Sequence, residues 1–189
     1  AGGVLANRLS EDPRARVVLI EAGGDDRLLR NPRQFISNLM ITVPVGYACN
    51  IKDPRVNWMY ATEPEQGTGG RSIAWPRGKV LGGSSSINGM LYVRGQQADY
   101  DDWQALGCAG WGWSDVAPYF RRSEHYEGGE DEVHGTRGPL NVSDPTMRHP
   151  VSTAVLKACS ALGLEQRDIN RPEQEGVDWF RLNIRKGRR

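Results

Sequence analysis

Cysteine and histidine are scarce in this sequence, with three of each among 189 residues. Cys49, Cys108 and Cys159 are far apart and odd in number, a pattern that favours neither a disulfide framework nor a metal knuckle. His125 and His134 lie near several acidic residues, but they share no regular element and no ligand spacing. We therefore predict reduced cysteines, solvated histidine side chains in a charged loop, and no bound metal.

Long apolar runs and an excess of charge of one sign are also missing. The longest apolar stretch, residues 39–48, is interrupted by Thr42, Pro44 and Gly46, and it is too short to cross a bilayer. Lys and Arg number 24 against 23 Asp and Glu, which leaves no basic surface of the kind that binds nucleic acid. No targeting segment is visible. The sequence predicts no transmembrane segment and no nucleic-acid partner, and we expect a cytoplasmic or membrane-peripheral location.

Glycine, in contrast, is abundant and is concentrated in one chemically distinctive stretch, residues 76–100, which reads PRGKVLGGSSSINGMLYVRGQQADY. Gly82 and Gly83 remove two β-carbons where the backbone turns tightly or approaches a ligand. The serines at 84–86 suit a helix N-cap. A helix starting near Ser85 would direct its unpaired N–H groups at a pyrophosphate or an electron-rich ring, with Asn88 one turn in. The alternative is a Gly/Ser loop that only joins two elements.

The first residues suggest half of a nucleotide-binding unit. Residues 1–10 have apolar side chains at helical spacing, and the apolar run at 17–20 is typical of a buried parallel strand that ends on Glu21. In a dinucleotide-binding βαβ unit, a carboxylate about 20 residues after the glycine-rich turn takes the ribose hydroxyls. Gly2 stands at that distance from Glu21. The alternative is an ordinary surface carboxylate at a strand end.

Both segments resemble the glucose-methanol-choline (GMC) flavoprotein oxidoreductases. The string GKVLGGSSSINGM, followed by Tyr92, Gly95 and Asp99, resembles the first signature of that family, and ANRLSEDP with a short strand and EAGG resembles its amino-terminal nucleotide unit. The resemblance runs along nearly the whole chain but corresponds to about the first third of a family member. It implies that the first strand and the first two glycines of the nucleotide unit lie upstream of Ala1.

The resemblance implies an α/β fold: an incomplete FAD/NAD(P)-binding Rossmann-like three-layer domain, with a lid and the start of an α+β substrate domain. We place the truncated βαβ unit at 1–30, the lid or connection at 31–70, the flavin signature at 71–106 and the remainder, which leads into the substrate domain, at 107–189. Further along the chain, apolar spacing predicts helices at 98–106 and 151–162 and strands at 140–142 and 180–184.

The resemblance also implies a flavin site. Gly2 would be the last glycine of G-x-G-x-x-G, and Glu21 would bind the adenosine ribose. The residues around the dinucleotide would be Arg77, Gly78, Val80, Gly82, Gly83 and Ser84. Those beneath the isoalloxazine would be Asn88, Gly89, Met90 and Leu91. We expect noncovalent FAD, because Ile87 stands where some relatives have a flavin-linking histidine.

Family members oxidise a primary alcohol to an aldehyde by hydride transfer to flavin N5, and the resemblance implies the same small-molecule substrate class here, with an unidentified electron acceptor. The proton-accepting histidine belongs to the family's carboxyl-terminal part, so no catalytic residue is assigned in this chain, and the chain alone is expected to be inactive. Choline dehydrogenase is the nearest alternative. Two alternatives from other classes are a hydroxynitrile lyase that keeps FAD without redox chemistry and a flavin-binding module without turnover.

Overall fold

The computed structural model describes residues 1–27 and 32–189, and the chain divides into two compact units. The first unit comprises Ala1–Gly89 together with Arg188–Arg189, and the second comprises Met90–Gly187. The regular elements of the first unit are α1 (Gly2–Leu9), α2 (Phe35–Thr42), α3 (Tyr47–Asn50), β1 (Tyr60–Ala61) and β2 (Ala74–Trp75). Those of the second unit are β3 (Leu91–Tyr92), α4 (Gln97–Ala105), α5 (Trp113–Ser123), β4 (Glu124–Tyr126), β5 (Leu140–Val142), α6 (Pro150–Ala161) and β6 (Arg181–Leu182).

The first unit is built around a small apolar core and one short hairpin-like pair. Strands β1 and β2 are antiparallel, with Tyr60 opposite Trp75. An antiparallel bridge between Asn57 and Gly78 extends the contact beyond the strand ends. The buried apolar cluster consists of Ile41, Val56, Val80 and Ile87. Val80 and Ile87 belong to the predicted signature, so the signature supplies two of the four residues of this apolar cluster.

The predicted strand at 17–20 is not formed. Val18 is 81% exposed and Ile20 is 89% exposed, and among the described residues no segment forms a hydrogen-bonded ladder with the run. A β-strand needs a neighbour for its backbone groups. Pairing begins only at Gly24, which makes a single parallel bridge to Val80.

The predicted helix near Ser85 is also wrong. Gly83–Ser86 form one turn of 3₁₀ helix instead. Gly82 and Gly83 enter this turn at φ values of 93° and 61°, which only glycine adopts without strain. Ile87 then leaves it at φ −126°, so the turn cannot propagate into an α-helix.

The second unit has two short strand pairs and three helices. Strands β3 and β6 are antiparallel, with Leu91 opposite Leu182, and β4 and β5 are parallel. The predicted helix at 98–106 is confirmed as α4, where Gln96 and Asp99 form a reciprocal capping box. The predictions for 140–142 and 151–162 are confirmed as β5 and α6. The predicted strand at 180–184 is shorter and is limited to β6.

In the described ranges, no helix is long and apolar enough to cross a membrane. All three cysteines are free thiols.

The predicted domain boundaries stay predictions, and the one between residues 30 and 31 lies outside the described residues.

Candidate functional site

The turn after Glu21 lies directly against the glycine-rich signature. The Glu21 carboxylate Oε1 accepts the Gly23 N–H at 2.8 Å, which holds the turn in shape. A β-carbon on Gly23 would stand 1.9 Å from the Lys79 carbonyl oxygen, so only glycine permits this approach. Leu81 N–H then donates to the Gly24 carbonyl at 2.9 Å. The structure therefore brings together the two segments that the sequence singled out.

A second close approach closes the signature on itself. A β-carbon on Gly78 would lie 2.2 Å from the carbonyl carbon and oxygen of Gly83. The Gly78 N–H donates to Ser84 Oγ at 3.1 Å, and the Gly83 N–H donates to the Val80 carbonyl at 2.7 Å. Gly78, Val80, Gly83 and Ser84 thus form one compact loop, which can close because Gly78 has no β-carbon to collide with the Gly83 carbonyl.

The hydroxyl groups of the serine run hold this loop, and those of Ser85 and Ser86 direct their O–H at backbone carbonyls. Ser85 Oγ donates to the Gly82 carbonyl at 2.7 Å, and Ser86 Oγ donates to the Leu81 carbonyl at 2.9 Å. Ser84 Oγ accepts the Gly78 N–H. The predicted helix dipole at Ser85 is therefore absent, and serine side chains instead stabilise a loop at this position.

Asn57 anchors the signature to the rest of the first unit, and the sequence analysis missed it. Its side chain is 2% exposed. Its Nδ2 donates to the Ile51 carbonyl at 2.7 Å, while its Oδ1 accepts the N–H groups of Arg77 at 2.9 Å and Met59 at 3.2 Å. The available signal was a polar residue inside a strand-like run, between Val56 and Trp58. All of these bonds lead to backbone, so no side-chain pattern reveals them.

Two cations lie over aromatic rings beside the loop. The Arg77 guanidinium carbon is 5.0 Å from the Trp75 ring centre, and the Lys79 ammonium is 4.9 Å from the Trp58 ring centre. Arg77 Nη1 also donates to the Pro76 carbonyl at 2.8 Å. These contacts fix positive charge on both sides of Gly78, which suits an anionic ligand.

The residues predicted beneath the isoalloxazine fall on both sides of the boundary between the units. In the first unit, Asn88 Oδ1 accepts Arg189 Nη1 at 2.9 Å, and Gly89 lies near the Tyr47 ring. Burial lowers the pKa of Arg189. In the second unit, Met90 is 4% exposed and adopts φ 61°. Leu91, which begins β3, is 53% exposed.

Gly2, the predicted last glycine of the nucleotide motif, is the first residue of α1. A β-carbon there would lie 3.4 Å from Leu19 Cδ1. The structure therefore gives Gly2 a neighbour in the 17–20 run. Its predicted place at a pyrophosphate stays a prediction.

His134 is buried, which corrects the expectation of a solvated loop side chain. It is 2% exposed. Its Nδ1 lies 3.1 Å from both carboxylate oxygens of Glu124, and its Nε2 lies 2.8 Å from Asp168 Oδ2. Arg94 Nη2 in turn donates to Glu124 Oε2 at 2.8 Å. His125 is exposed, so the expectation holds for that residue. Sequence spacing could not identify this cluster, because its members come from distant parts of the chain.

Burial and ion pairing oppose each other in this cluster. Burial alone would lower the pKa of His134, but hydrogen bonds and charges from Asp168 and Glu124 outweigh it and raise the pKa to about 9. Burial would raise the pKa of Asp168, but His134, the Asn170 N–H and Arg181 lower it to about 2. Among the residues that the structure describes, no group of His, Cys, Asp and Glu could hold a metal ion.

Glycine-dependent contacts beside a carboxylate-bearing turn are typical of α/β proteins that bind dinucleotides. The family model described as GMC oxidoreductase matches residues 4–189, and the chain belongs to this family. The resemblance proposed from the two sequence segments is thereby confirmed.

Curated relatives match along the whole chain. The chain is 43% identical over 190 aligned positions to the mitochondrial choline dehydrogenase of Homo sapiens, covering 100% of this chain and 32% of the human protein. It is 44% identical to the oxygen-dependent choline dehydrogenase of Sinorhizobium fredii, covering 100% of this chain and 33% of that protein. The chain therefore spans about a third of the length of these relatives.

Solved structures match as well. Pyridoxine 4-oxidase from Mesorbium loti is 38% identical with a TM-score of 0.86, over 100% of this chain and 35% of that one. An FAD-dependent oxidoreductase from Chaetomium thermophilum is 33% identical with a TM-score of 0.77, over 96% of this chain and 31% of that one. These matches confirm the predicted fold class, an incomplete α/β Rossmann-like domain.

Proposed function

We propose that this chain forms the FAD-binding part of an oxidoreductase that converts a primary alcohol to an aldehyde. The observation that carries the proposal is the contact of the Glu21–Gly24 turn with the signature loop in a chain of the GMC family. The full-length protein, meaning this chain within a polypeptide of its relatives' length, would supply the substrate domain. We propose a cytoplasmic or membrane-peripheral location for it.

The residues of the first unit fit a bound dinucleotide. Glu21 is exposed beside two glycines and would accept hydrogen bonds from ribose hydroxyls, while its charge would repel a 2′-phosphate. A β-carbon at Gly23 or Gly78 would collide with backbone, whereas one at Gly83 would meet no atom within 4 Å. The first two glycines therefore permit the packing inside the loop, and the face that a pyrophosphate can approach closely lies at Gly83. Arg77 and Lys79 add positive charge beside it. This combination favours FAD over NADP.

The attachment of FAD is proposed to be noncovalent. Ile87 is 2% exposed and belongs to the apolar cluster of the first unit. Its side chain has no nucleophilic atom that could form a bond to the flavin. Its role is therefore to pack the core beneath the loop.

Bound FAD would accept the hydride that leaves the substrate α-carbon, while the hydroxyl proton passes to a base. None of the three histidines of this chain is suited to be that base. His134 has a carboxylate against each ring nitrogen, and His149 Nδ1 accepts the Val151 N–H at the start of α6. His125 is exposed on β4, so water and not an enclosed site surrounds its ring. We therefore propose that the base belongs to the remainder of the full-length protein.

Choline is the first substrate to test among primary alcohols. Two curated relatives at 43% and 44% identity are choline dehydrogenases by name, whereas the solved structure at 38% identity is a pyridoxine 4-oxidase. We propose choline dehydrogenase as the specific alternative within the class.

Anaerobic mixing of the purified full-length protein with choline, pyridoxine or a simple primary alcohol tests the proposal. We expect one of these alcohols to bleach the flavin absorbance, with one aldehyde formed per flavin reduced. Readmission of oxygen, or addition of a quinone, would then identify the electron acceptor by the return of the yellow colour.

Other outcomes would contradict the proposal. A flavin that stays oxidised while a cyanohydrin is cleaved would indicate a hydroxynitrile lyase. A bound flavin that no alcohol reduces, with no cyanohydrin cleavage, would indicate a binding module without turnover.

A further inference from the structure

A buried ionic cluster lies in the second unit, apart from the residues proposed to bind the dinucleotide. We call it the His134 cluster, and its members are Arg94, Glu124, His134, Asp168 and Arg181. The side chains of Arg94, Glu124 and His134 are at most 2% exposed, and those of Arg181 and Asp168 are 12% and 15% exposed. Side chains with this charge are rarely buried unless they have a function or complete pairing.

The geometry around His134 requires a particular protonation state. Nδ1 faces Glu124 and Nε2 faces Asp168, both at hydrogen-bond distance. A neutral imidazole has one N–H donor, so one ring nitrogen would direct its lone pair at a carboxylate. Only the imidazolium donates to both. The cluster is therefore complete when His134 is charged.

Charged and polar groups face His134 from every element packed on it. Glu124 comes from β4, and Asp168 from the segment before β6. Asp131 Oδ1 accepts the backbone N–H of His134 at 2.6 Å and is itself paired with Arg171. The Tyr126 ring lies 4.6 Å from the imidazole, centre to centre. Two carboxylates thus face the imidazolium ring, and a third holds the His134 backbone.

Cations balance these carboxylates. Arg94 pairs with Glu124 at 2.8 Å, Arg181 lies 3.6 Å from Asp168, and Arg171 pairs with Asp131. The positive charge on His134 adds to theirs and is shared by two carboxylates. Its loss would leave one hydrogen bond unmade in a buried site, where that loss has its largest effect.

The cluster is connected to β3 by two routes, one through Arg94 and one through Asn170. Arg94 Nε donates to the Tyr92 hydroxyl at 3.2 Å, and the Arg94 N–H donates to Asn170 Oδ1 at 2.9 Å. Asn170 N–H donates to Asp168 Oδ1 at 2.9 Å, and Asn170 Nδ2 reaches the Tyr92 carbonyl at 3.4 Å. Glu124 thus fixes Arg94, and Asp168 fixes Asn170. Both then fix Tyr92, the neighbour of Leu91.

We propose that His134, held as an imidazolium between Glu124 and Asp168, is a positioning residue for β3, the strand that carries Leu91. This inference rests on the proposed function only in so far as Leu91 lies beneath the flavin. His134 itself touches neither substrate nor cofactor in this proposal. It acts through Glu124 and Asp168 on the backbone at Tyr92 and Arg94.

The proposal predicts a pH dependence of a definite sign. The folded-state pKa of about 9 lies above the ordinary value of 6.5. The stabilisation is therefore fully present below pH 6.5 and is lost as the pH rises through 9. A raised pKa of this size corresponds to a change on the order of a hundredfold in the equilibrium for opening the cluster.

Hydrogen exchange of backbone amides in the full-length protein, read by mass spectrometry, tests the proposal. The informative amide is that of Arg94, which donates to Asn170. After correction for intrinsic exchange, we expect its protection in the wild type to fall on the order of a hundredfold between pH 6.5 and a pH above 9. In His134→Gln the protection should be low at both pH values. The matched control is His125→Gln, an exposed histidine nine residues earlier, which should behave as wild type.

A second variant separates protonation from shape. In Asp168→Asn, the new side-chain amide can donate to a neutral Nε2 while Nδ1–H donates to Glu124, so the cluster is satisfied without the charge on His134. The same amide retains an oxygen that can accept the Asn170 N–H, so the fold should persist. We expect Arg94 protection in this variant to vary little with pH.

Three results would overturn the proposal. They are wild-type protection that does not change through pH 9, equal pH dependence in the wild type and Asp168→Asn, or wild-type protection at Arg94 in His134→Gln. None of these readouts needs flavin, so a protein without bound FAD would contradict the proposed function and leave this test intact. Where FAD is bound, the flavin absorption maximum should shift with the same midpoint in the wild type and not in Asp168→Asn.

Discussion

The two units of this chain hold their backbones by different means. In the first unit, the signature loop depends on glycines that permit contact with backbone and on the neutral side chain of Asn57. In the second unit, the segment after β3 depends on the His134 cluster, whose members are charged. A neutral amide does not titrate, whereas an imidazolium does. The comparison teaches that pH should act on the second unit and leave the anchoring of the first unchanged.

The units also differ in how well their polar groups are satisfied. In the second unit, the side chains of the cluster all have partners. In the first unit, both amide atoms of Asn50 and the Oδ1 of Asn38 are buried without a hydrogen-bond partner among the described residues. Each such atom lowers stability relative to a partnered one. The first unit therefore offers sites where a substitution should be tolerated.

The largest expected effect is that of Glu124→Gln. Removing this charge leaves Arg94 and His134 buried with a weaker partner, and breaking a buried pair in this way lowers the free energy of unfolding by about 3–5 kcal/mol. Urea unfolding of the full-length protein at neutral pH measures it. The control is Glu130→Gln. It removes an ion pair with Arg121 in which each side chain is 45% exposed, and we expect the free energy of unfolding to fall by at most about 1 kcal/mol. Equal losses in the two variants would contradict the comparison.

Gly78→Ala is expected to have the next largest effect, on the first unit. The added methyl group would overlap the Gly83 carbonyl, and relief of such overpacking costs about 1–3 kcal/mol. Because the loop must shift to relieve the overlap, FAD retention after purification should fall as well. Gly67→Ala is the matched control, since a β-carbon there meets no atom within 4 Å. FAD content unchanged in Gly78→Ala would show that the close approach is not needed for binding.

Two buried asparagines of the first unit should respond differently to the same substitution. Asn57→Leu leaves three backbone groups without their partner and should lower the free energy of unfolding by about 1–3 kcal/mol. Asn50→Leu removes two unpaired buried atoms and should be neutral, or raise that free energy by about 1 kcal/mol. Thermal unfolding of both variants measures the difference. The same sign for both would refute the hydrogen-bond account.

Local patterns in the sequence predicted the elements whose stability is local. Apolar spacing predicted α1, α4 and α6. The strand at 17–20 was predicted wrongly, because a strand depends on a partner that the run itself does not contain. The helix near Ser85 was predicted wrongly, because the turn ends at Ile87, whose φ of −126° could not be read from composition.

The buried polar residues could not be predicted for a different reason. His134 is surrounded in sequence by charged and glycine residues typical of a solvated loop. Its partners, Glu124 and Asp168, stand 10 and 34 residues away along the chain. Asn57 bonds only to backbone groups. Burial in both cases results from tertiary contacts, which no period in the sequence records.

The smallest expected effect concerns the mode of flavin attachment. Acid precipitation of the flavin-loaded full-length protein should leave the yellow colour in the supernatant, because Ile87 offers no atom for a covalent link. Ile87→Val should not change this result. A yellow pellet from the wild type would show that another residue bonds to the flavin.

The most direct test of the central claim, that the Glu21–Gly24 turn and the signature loop together bind FAD, is the flavin content of Glu21→Ala. The full-length variant should lose FAD during purification, because the ribose hydroxyls lose their acceptor and the Gly23 N–H loses the carboxylate that holds the turn against the signature. Glu63→Ala, an exposed glutamate of the same unit, is the control and should keep a full complement. The account predicts a loss of FAD in Glu21→Ala alone, and equal FAD content in the wild type and both variants would contradict it.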